Sequence, residues 1–226
     1  NQELGLLSTC AATVTMDGAV TLPAKKLLDM VNQMPDADMR LTAATDHARV
    51  TCGAFTSRLQ TCPVRDCDPL PSVPNDWLTI PAATLATMLQ HTRYAVSDKE
   101  GRYVLRGALL VAAASGGALL VATDGKRVAV ARNPSPEFDT VLTTVVIPSK
   151  TIDALRGHDL TSGIVQWAHT DHLLFFRVNG RVLYSRILDG KFPDYQRILD
   201  TIQSHSLIAR VPRDTFTAAL RRVQLV

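Results

Sequence analysis

Cysteine is scarce in this chain and never stands in a ligand-like spacing. Four occur in 226 residues, at positions 10, 52, 62 and 67, and the tightest spacing is Cys62-x4-Cys67. That excludes a disulfide scaffold and leaves reduced thiols as the expected state, with a zinc site borrowing His47 as the alternative. Aromatic residues are few, at 5%, and Trp77 and Trp167 read as packing anchors rather than base-stacking platforms. No apolar stretch is long enough to span a membrane. The longest apolar block, residues 107–122, is interrupted by Ser115-Gly116-Gly117 and reads as two strands around a tight turn. A phosphate-binding loop is also lacking, because Gly125-Lys126 has neither the preceding glycine spacing nor a following Ser or Thr. Charge of one sign is not in excess: 24 Lys and Arg against 21 Asp and Glu give a net +3. A balance that mild does not by itself indicate nucleic acid. Near the start, Leu6-Leu7-Ser8-Thr9-Cys10 loosely imitates a lipoprotein processing site, but Glu3 stands where a basic leader belongs. The expected reading there is a strand.

One phrase is present four times. A short alternating apolar run meets a proline, and a helix pattern follows: Val20-Thr21-Leu22-Pro23, Leu78-Thr79-Ile80-Pro81, Val145-Val146-Ile147-Pro148 and Ala209-Arg210-Val211-Pro212. Period two before the proline predicts a half-buried strand. Proline lacks an N–H and fixes φ near the helical value, so it suits a helix start and keeps the residue before it extended. Core-type residues four positions on (Leu27, Leu85, Ile152, Phe216) and seven or eight positions on (Met30/Val31, Met88/Leu89, Leu155, Ala219/Leu220) predict one-sided helices. The prolines recur roughly every 60 residues, the period of a repeated half-domain.

Between these phrases the chain alternates. Residues 1–19 read as two strands around Met16-Asp17-Gly18, and strands are expected over 40–44, 48–52 and 55–60. The Pro- and Asp-rich stretch 62–74 is the linker candidate. Strands are expected again over 103–114, 118–123, 127–132, 163–169, 172–178 and 182–188, with 189–199 closing the block. One helix per set of strands implies an α+β fold: repeated strand–helix–strands half-domains, antiparallel sheets outside and helices on one face. The four proline-started helices carry Lys25, Lys26, Arg93, Lys150, Arg156, Arg213, Arg221 and Arg222 against Asp29, Asp153 and Asp214. Either these are ordinary wet helix faces or they form one positive surface for phosphates.

Two segments are more specific: Ala122-Thr123-Asp124-Gly125-Lys126-Arg127-Val128-Ala129 and Leu188-Asp189-Gly190-Lys191-Phe192-Pro193-Asp194-Tyr195-Gln196-Arg197-Ile198-Leu199. Together, inside the repeated frame, they resemble the bacterial DNA polymerase III beta subunit family, the sliding clamps. The resemblance covers the whole chain but only about three-fifths of a family member. It implies the DNA-clamp fold, with residues 1–74 as the later part of a first clamp domain, 75–199 as a complete second domain and 200–226 as the start of a third. A full member carries six copies of the phrase.

The function so implied is a processivity factor without chemistry of its own. It would encircle duplex DNA as a head-to-tail homodimer ring in the bacterial cytoplasm at the nucleoid, with no membrane, metal or cofactor. Its partners would be a replicative polymerase, the clamp loader and other clamp-binding proteins, docking through short linear motifs. Carried over by position, the peptide groove takes Leu105, Thr123, Gly125, Lys126, Arg127, Val128, Pro193, Arg197 and Ile198. Lys126 stands where many members carry His. The implied DNA contacts are Lys25, Lys26, Lys99, Arg102, Tyr103, Lys150 and Arg213. Two other readings are open: a clamp-derived peptide-binding module that never closes a ring, and an enzyme with an acidic site at Asp124 and Asp189. Aspartates before glycine also make hairpin turns, and neither has a nearby His or Glu to complete a ligand set. His158, His169 and His172 read as surface or satisfied histidines.

Overall fold

Where an expected strand finds a ladder partner it forms; where it finds none, the proline phrase keeps only its helix. The computed structural model describes residues 3–62, 64, 69–99, 103–113, 115, 117–133, 141–203 and 209–224. The chain divides into two compact units, Cys10–Val73 and Asn1–Thr9 with Pro74–Val226.

The smaller unit holds helix α1 (Ala24–Val31) and a three-stranded antiparallel sheet, β2 (Met39–Ala43), β3 (His47–Cys52) and β4 (Phe55–Gln60), in the order β2-β3-β4. Ala48, Val50 and Cys52 alternate inward along β3 and are buried with Leu59. The Cys52 thiol donates to the carbonyls of Ala37 (3.3 Å) and Pro35 (3.5 Å). His47 Nδ1 lies 2.7 Å from the Asp46 carboxylate, and no cluster of three metal-ligating side chains occurs among the described residues. Cys67 lies outside the described residues.

The larger unit contains two antiparallel sheets. One has five strands in the order β1-β12-β11-β10-β5: β1 (Leu4–Leu7), β5 (Leu78–Pro81), β10 (Ile164–His169), β11 (Leu173–Val178) and β12 (Arg181–Arg186). The other has four in the order β8-β7-β6-β9: β6 (Gly107–Ala113), β7 (Ala118–Thr123), β8 (Val128–Arg132) and β9 (Val141–Pro148). Helices α2 (Ala82–Thr92) and α3 (Ser149–Arg156) pack on the sheets, while α4 (Tyr195–Gln203) and α5 (Arg213–Val223) follow. Pro81 and Pro148 end β5 and β9, both edge strands, where a residue without an N–H costs no ladder bond.

A single core joins Leu85, Met88 and Leu89 of α2 and Ile152 and Leu155 of α3 to the inner faces of both sheets, including Leu110, Leu120, Ile147, Trp167 and Phe176. Strands β6 and β7 are apolar on both faces. Their even-numbered residues enter this core, whereas Val111, Leu119 and Val121 form a second cluster on the opposite face. Double-sided burial explains why the 107–122 block reads as a continuous apolar run.

Three expectations are corrected. Only one strand forms in residues 3–19, and the run before Pro23 has just an isolated bridge from Thr21 to Cys62. The run before Pro212 forms no strand among its described residues, 209–211. A strand requires a ladder, and the described residues of these runs make none beyond that one bridge. Each proline does start its helix as expected, at the cap, one residue before the first helical position. In α1 the Pro23 carbonyl accepts from Leu27 N–H at 3.0 Å, and in α5 the Pro212 carbonyl accepts from Phe216 N–H at 3.0 Å.

Candidate functional site

The first specific segment is the β7–β8 connection, and its side chains hold its backbone. Thr123, buried at the end of β7, accepts from Gly125 N–H at 3.1 Å and donates to the Arg127 carbonyl at 2.7 Å through one hydroxyl. The Asp124 carboxylate accepts from Lys126 N–H (2.9 Å), Arg127 N–H (3.1 Å) and Arg127 Nε (3.0 Å). These bonds hold its pKa below the usual carboxylate range, the Lys126 backbone bond contributing most. Gly125 turns the chain with φ +87°, a conformation that costs any side-chain-bearing residue about 1 kcal/mol. The Arg127 guanidinium lies 5.6 Å from the centroid of the Tyr94 ring. With its carboxylate fully engaged in these bonds, Asp124 is a turn-forming residue.

The second segment covers the face that the first leaves apolar. Phe192 and Tyr195 pack with Val128, Val130 and Leu109 against Val111, Leu119 and Val121. Leu188 N–H donates to Val146 O at 3.3 Å. Gly190, at φ +128°, is close enough to the Val104 side chain that an added Cβ would touch it at 3.6 Å. Val104 belongs to the 3-10 turn Tyr103–Arg106, which also carries Leu105. The segment therefore bridges the Leu105 turn and the Val128 patch.

The nine residues expected in a groove differ in their setting. Leu105 and Thr123 are buried and support the surface from beneath, Val128 is half-buried, and Gly125, Lys126, Arg127, Pro193, Arg197 and Ile198 are exposed. Pro193 leads into α4, and Arg197 and Ile198 ride on its first turns. Helix α4 was missed by sequence reasoning, which left 189–199 as a closing segment. Its signal is there: Asp194 caps it, accepting from Arg197 N–H at 3.3 Å, and Tyr195, Ile198, Leu199 and Ile202 recur at helical spacing. Tyr94 was missed too, since nothing in the sequence relates it to Arg127.

The residues expected at DNA differ in their immediate surroundings, and two of them are ion-paired. Lys25 and Lys26 are exposed on α1. Lys150 Nζ sits 2.6 Å from the Glu3 carboxylate, and Arg213 Nε sits 3.0 Å from Asp214. Lys99 and Tyr103 are exposed, and the Lys99 N–H donates to Ser97 Oγ at 3.2 Å. Arg102 lies outside the described residues.

Residues 79–194 match the family model for the central domain of the DNA polymerase III beta subunit. The chain belongs to the DNA polymerase III beta subunit family. The beta sliding clamp of Caulobacter vibrioides is 31% identical over 233 residues, covering 99% of this chain and 62% of that protein. The beta sliding clamp of Chlamydia pneumoniae is 30% identical over 216 residues, 95% of this chain and 58% of that one. The chain thus spans less than two thirds of the length of these curated relatives. Among solved structures, the Pseudomonas aeruginosa beta subunit superposes with a TM-score of 0.78 at 26% identity, over 93% of this chain and 56% of that one. A sliding clamp from Bartonella birtlesii bound to griselimycin superposes with a TM-score of 0.81 at 28% identity, over 97% of this chain and 60% of that one. The expected DNA-clamp fold is therefore the observed one.

Proposed function

We propose that this beta-subunit chain acts as a sliding clamp, tethering a replicative polymerase to duplex DNA without chemistry of its own. In this reading residues 75–199 are the central domain, 1–74 belong to the domain before it and 200–226 open the domain after it. The full protein closes as a head-to-tail homodimer ring in the bacterial cytoplasm. The basic residues of the proline-started helices meet phosphates loosely and without reading bases. The polymerase, the clamp loader and other partners dock through short linear motifs.

The observation that carries the reading is the outer face of β7 and β8. There the hydrogen-bonded 123–127 turn and the 188–198 segment meet over one apolar cluster. Half-buried Val128 and exposed Ile198, with Lys126, Arg127 and Arg197 as a charged rim, suit a peptide with Leu and Phe anchors. A relative crystallised with griselimycin supports a ligand-binding role for this family.

The test is a titration of a labelled Gln-Leu-x-Leu-Phe peptide into the chain. Saturable binding that is lost in Val128→Asp supports the reading. Binding that ignores Val128→Asp, or no binding at all, counts against it. Val128 is preferred to Leu105 because Leu105 is 2% exposed, so a charge there would disturb the fold itself.

A further inference from the structure

The hairpin joining β11 to β12 turns in two residues. Val178 pairs with Arg181, and Asn179 and Gly180 between them stand at φ +49° and +74°. Two successive left-handed residues suit the twist of a hairpin, and Asn-Gly is the pair that adopts them most readily. The same pair carries a chemical weakness. Gly180 has no side chain to shield its own nitrogen, and an added Cβ there would meet nothing within 4 Å. Asn179 is the one asparagine of the chain followed by glycine; the others precede Gln, Asp or Pro. Asn179 and Gly180 are both exposed.

The Asn179 side chain also holds the fold together locally. Its Nδ2 donates to the Asp159 carbonyl at 3.1 Å. Asp159 is fixed in turn, because its carboxylate accepts from the Thr161 N–H at 3.0 Å and the Thr161 hydroxyl at 2.6 Å. The Asn179 amide thus ties the hairpin to the connection between α3 and β10. That connection supplies Asp159, Leu160 and Thr161 to the wall of a cleft of about 480 Å³, which Ala83, Ala86 and Gln90 of α2 also line. The tether needs a donor at 179, since a carbonyl only accepts. A carboxylate there would set two acceptors against each other and lose the bond.

We propose that Asn179 is a deamidation site gated by this tether, and that its conversion releases the 157–161 connection from the hairpin. The Gly180 nitrogen, giving up its proton to solvent, attacks Asn179 Cγ. The Cγ–Nδ2 bond breaks, and the nitrogen takes a proton from solvent and leaves as ammonia. The cyclic imide left behind takes up one water. Opening at Cγ yields aspartate, and opening at the main-chain carbonyl carbon yields isoaspartate, whose backbone runs through the former side chain. The reaction waits on local opening, because the Val178–Arg181 pair holds the turn and the Asp159 carbonyl holds the departing amide.

The 226-residue chain is incubated in mildly alkaline buffer beside a synthetic peptide of residues 175–184, the untethered reference. Mass spectrometry of digests follows aspartate and isoaspartate at 179. The chain is expected to convert measurably but more slowly than the peptide. Thr161→Ala, which loosens Asp159, is expected to convert about two- to tenfold faster than the wild type. Asn179→Asp, the direct product, is expected to speed amide exchange over residues 159–162 and to leave α2 unchanged. The proposal is overturned if neither the wild type nor Thr161→Ala has converted after many half-lives of the peptide. It is equally overturned if the chain converts as fast as the peptide, if Thr161→Ala converts at the wild-type rate, or if Asn179→Asp exchanges as the wild type does. None of these variants touches Val128, so the clamp reading is tested separately by the peptide titration there.

Discussion

The Arg93 guanidinium grips the Asp153 carboxylate with two hydrogen bonds, Nε to Oδ1 at 2.8 Å and Nη2 to Oδ2 at 2.9 Å. The pair ties the end of α2 to the middle of α3. It also removes Arg93 from the set of cations available to a ligand. Arg156 lies 3.9 Å from the same carboxylate.

Breaking this pair should cost stability only while Asp153 is ionised. The hydrogen bond from Arg93, then its charge and that of Arg156, hold the Asp153 carboxyl below its ordinary value against the opposing effect of partial burial. A depressed folded-state pKa contributes stability above the unfolded value, near about 3.9, and loses it as pH falls through the lower folded value. The Asp153 side chain is 49% exposed, so solvent screening limits the contribution to about 0.5–1 kcal/mol. Urea unfolding should show Arg93→Gln less stable than wild type by that amount at pH 7. The gap should narrow at pH 3 and below. An unchanged gap across that range would assign the loss to packing of the Arg93 stem instead.

Thr123 should be intolerant of the loss of its hydroxyl. One buried oxygen serves both the Gly125 N–H and the Arg127 carbonyl. Thr123→Val keeps the shape and strands both groups, at a cost of about 1–3 kcal/mol. Thr123→Ser keeps both bonds and should lose less, chiefly the packing of one methyl group. Peptide affinity measured on the two variants should fall more for Val than for Ser, because the turn carries Lys126 and Arg127 to the rim. Equal affinities would mean the turn does not position them.

Duplex binding should depend on the unpaired lysines more than on the paired ones. Lys25 and Lys26 are exposed and have no ion-pair partner among the described residues, whereas Arg93 is committed to Asp153. Anisotropy titrations across a salt series should give a log–log slope that drops by about one for each phosphate contact removed. Lys25→Gln and Lys26→Gln are expected to lower it and Arg93→Gln to leave it unchanged. A slope indifferent to all three would place the contact elsewhere.

Much of the larger unit is legible in the sequence because its signals are local. Period two before Pro81 and Pro148, and core residues at Leu85 and Ile152, need only the chain's own neighbours to be read. The strand expected before Pro212 fails because pairing is a property of the sheet, which a local run cannot reveal. The site is legible in part. Its backbone turn is encoded by Thr123, Asp124 and Gly125 in sequence order, while the covering of Val111 and Leu119 by Phe192 and Tyr195 joins residues some 80 apart. Neutralisation is equally non-local: Glu3 and Lys150 are 147 positions apart, so a count of basic residues overstates the free positive charge.

Helix α5 should be the least protected helix of the larger unit. Its apolar stripe, Phe216, Leu220 and Val223, is 51%, 54% and 72% exposed, and no residue of the helix is buried. In α3, by contrast, Ile152 and Leu155 are fully buried. An isolated helix of 11 residues is marginal in water, since tertiary packing supplies most helical stability. Amide exchange should therefore be faster in α5 than in α2 or α3, reporting local rather than global opening. Phe216→Asp should change unfolding free energy by less than about 0.5 kcal/mol, whereas Ile152→Ala should cost about 2–5 kcal/mol. Slow exchange in α5 equal to that of α3 would mean that its stripe is covered in solution. Dilution distinguishes the two cases, because cover by a second copy weakens as the chain is diluted while cover by the same chain does not.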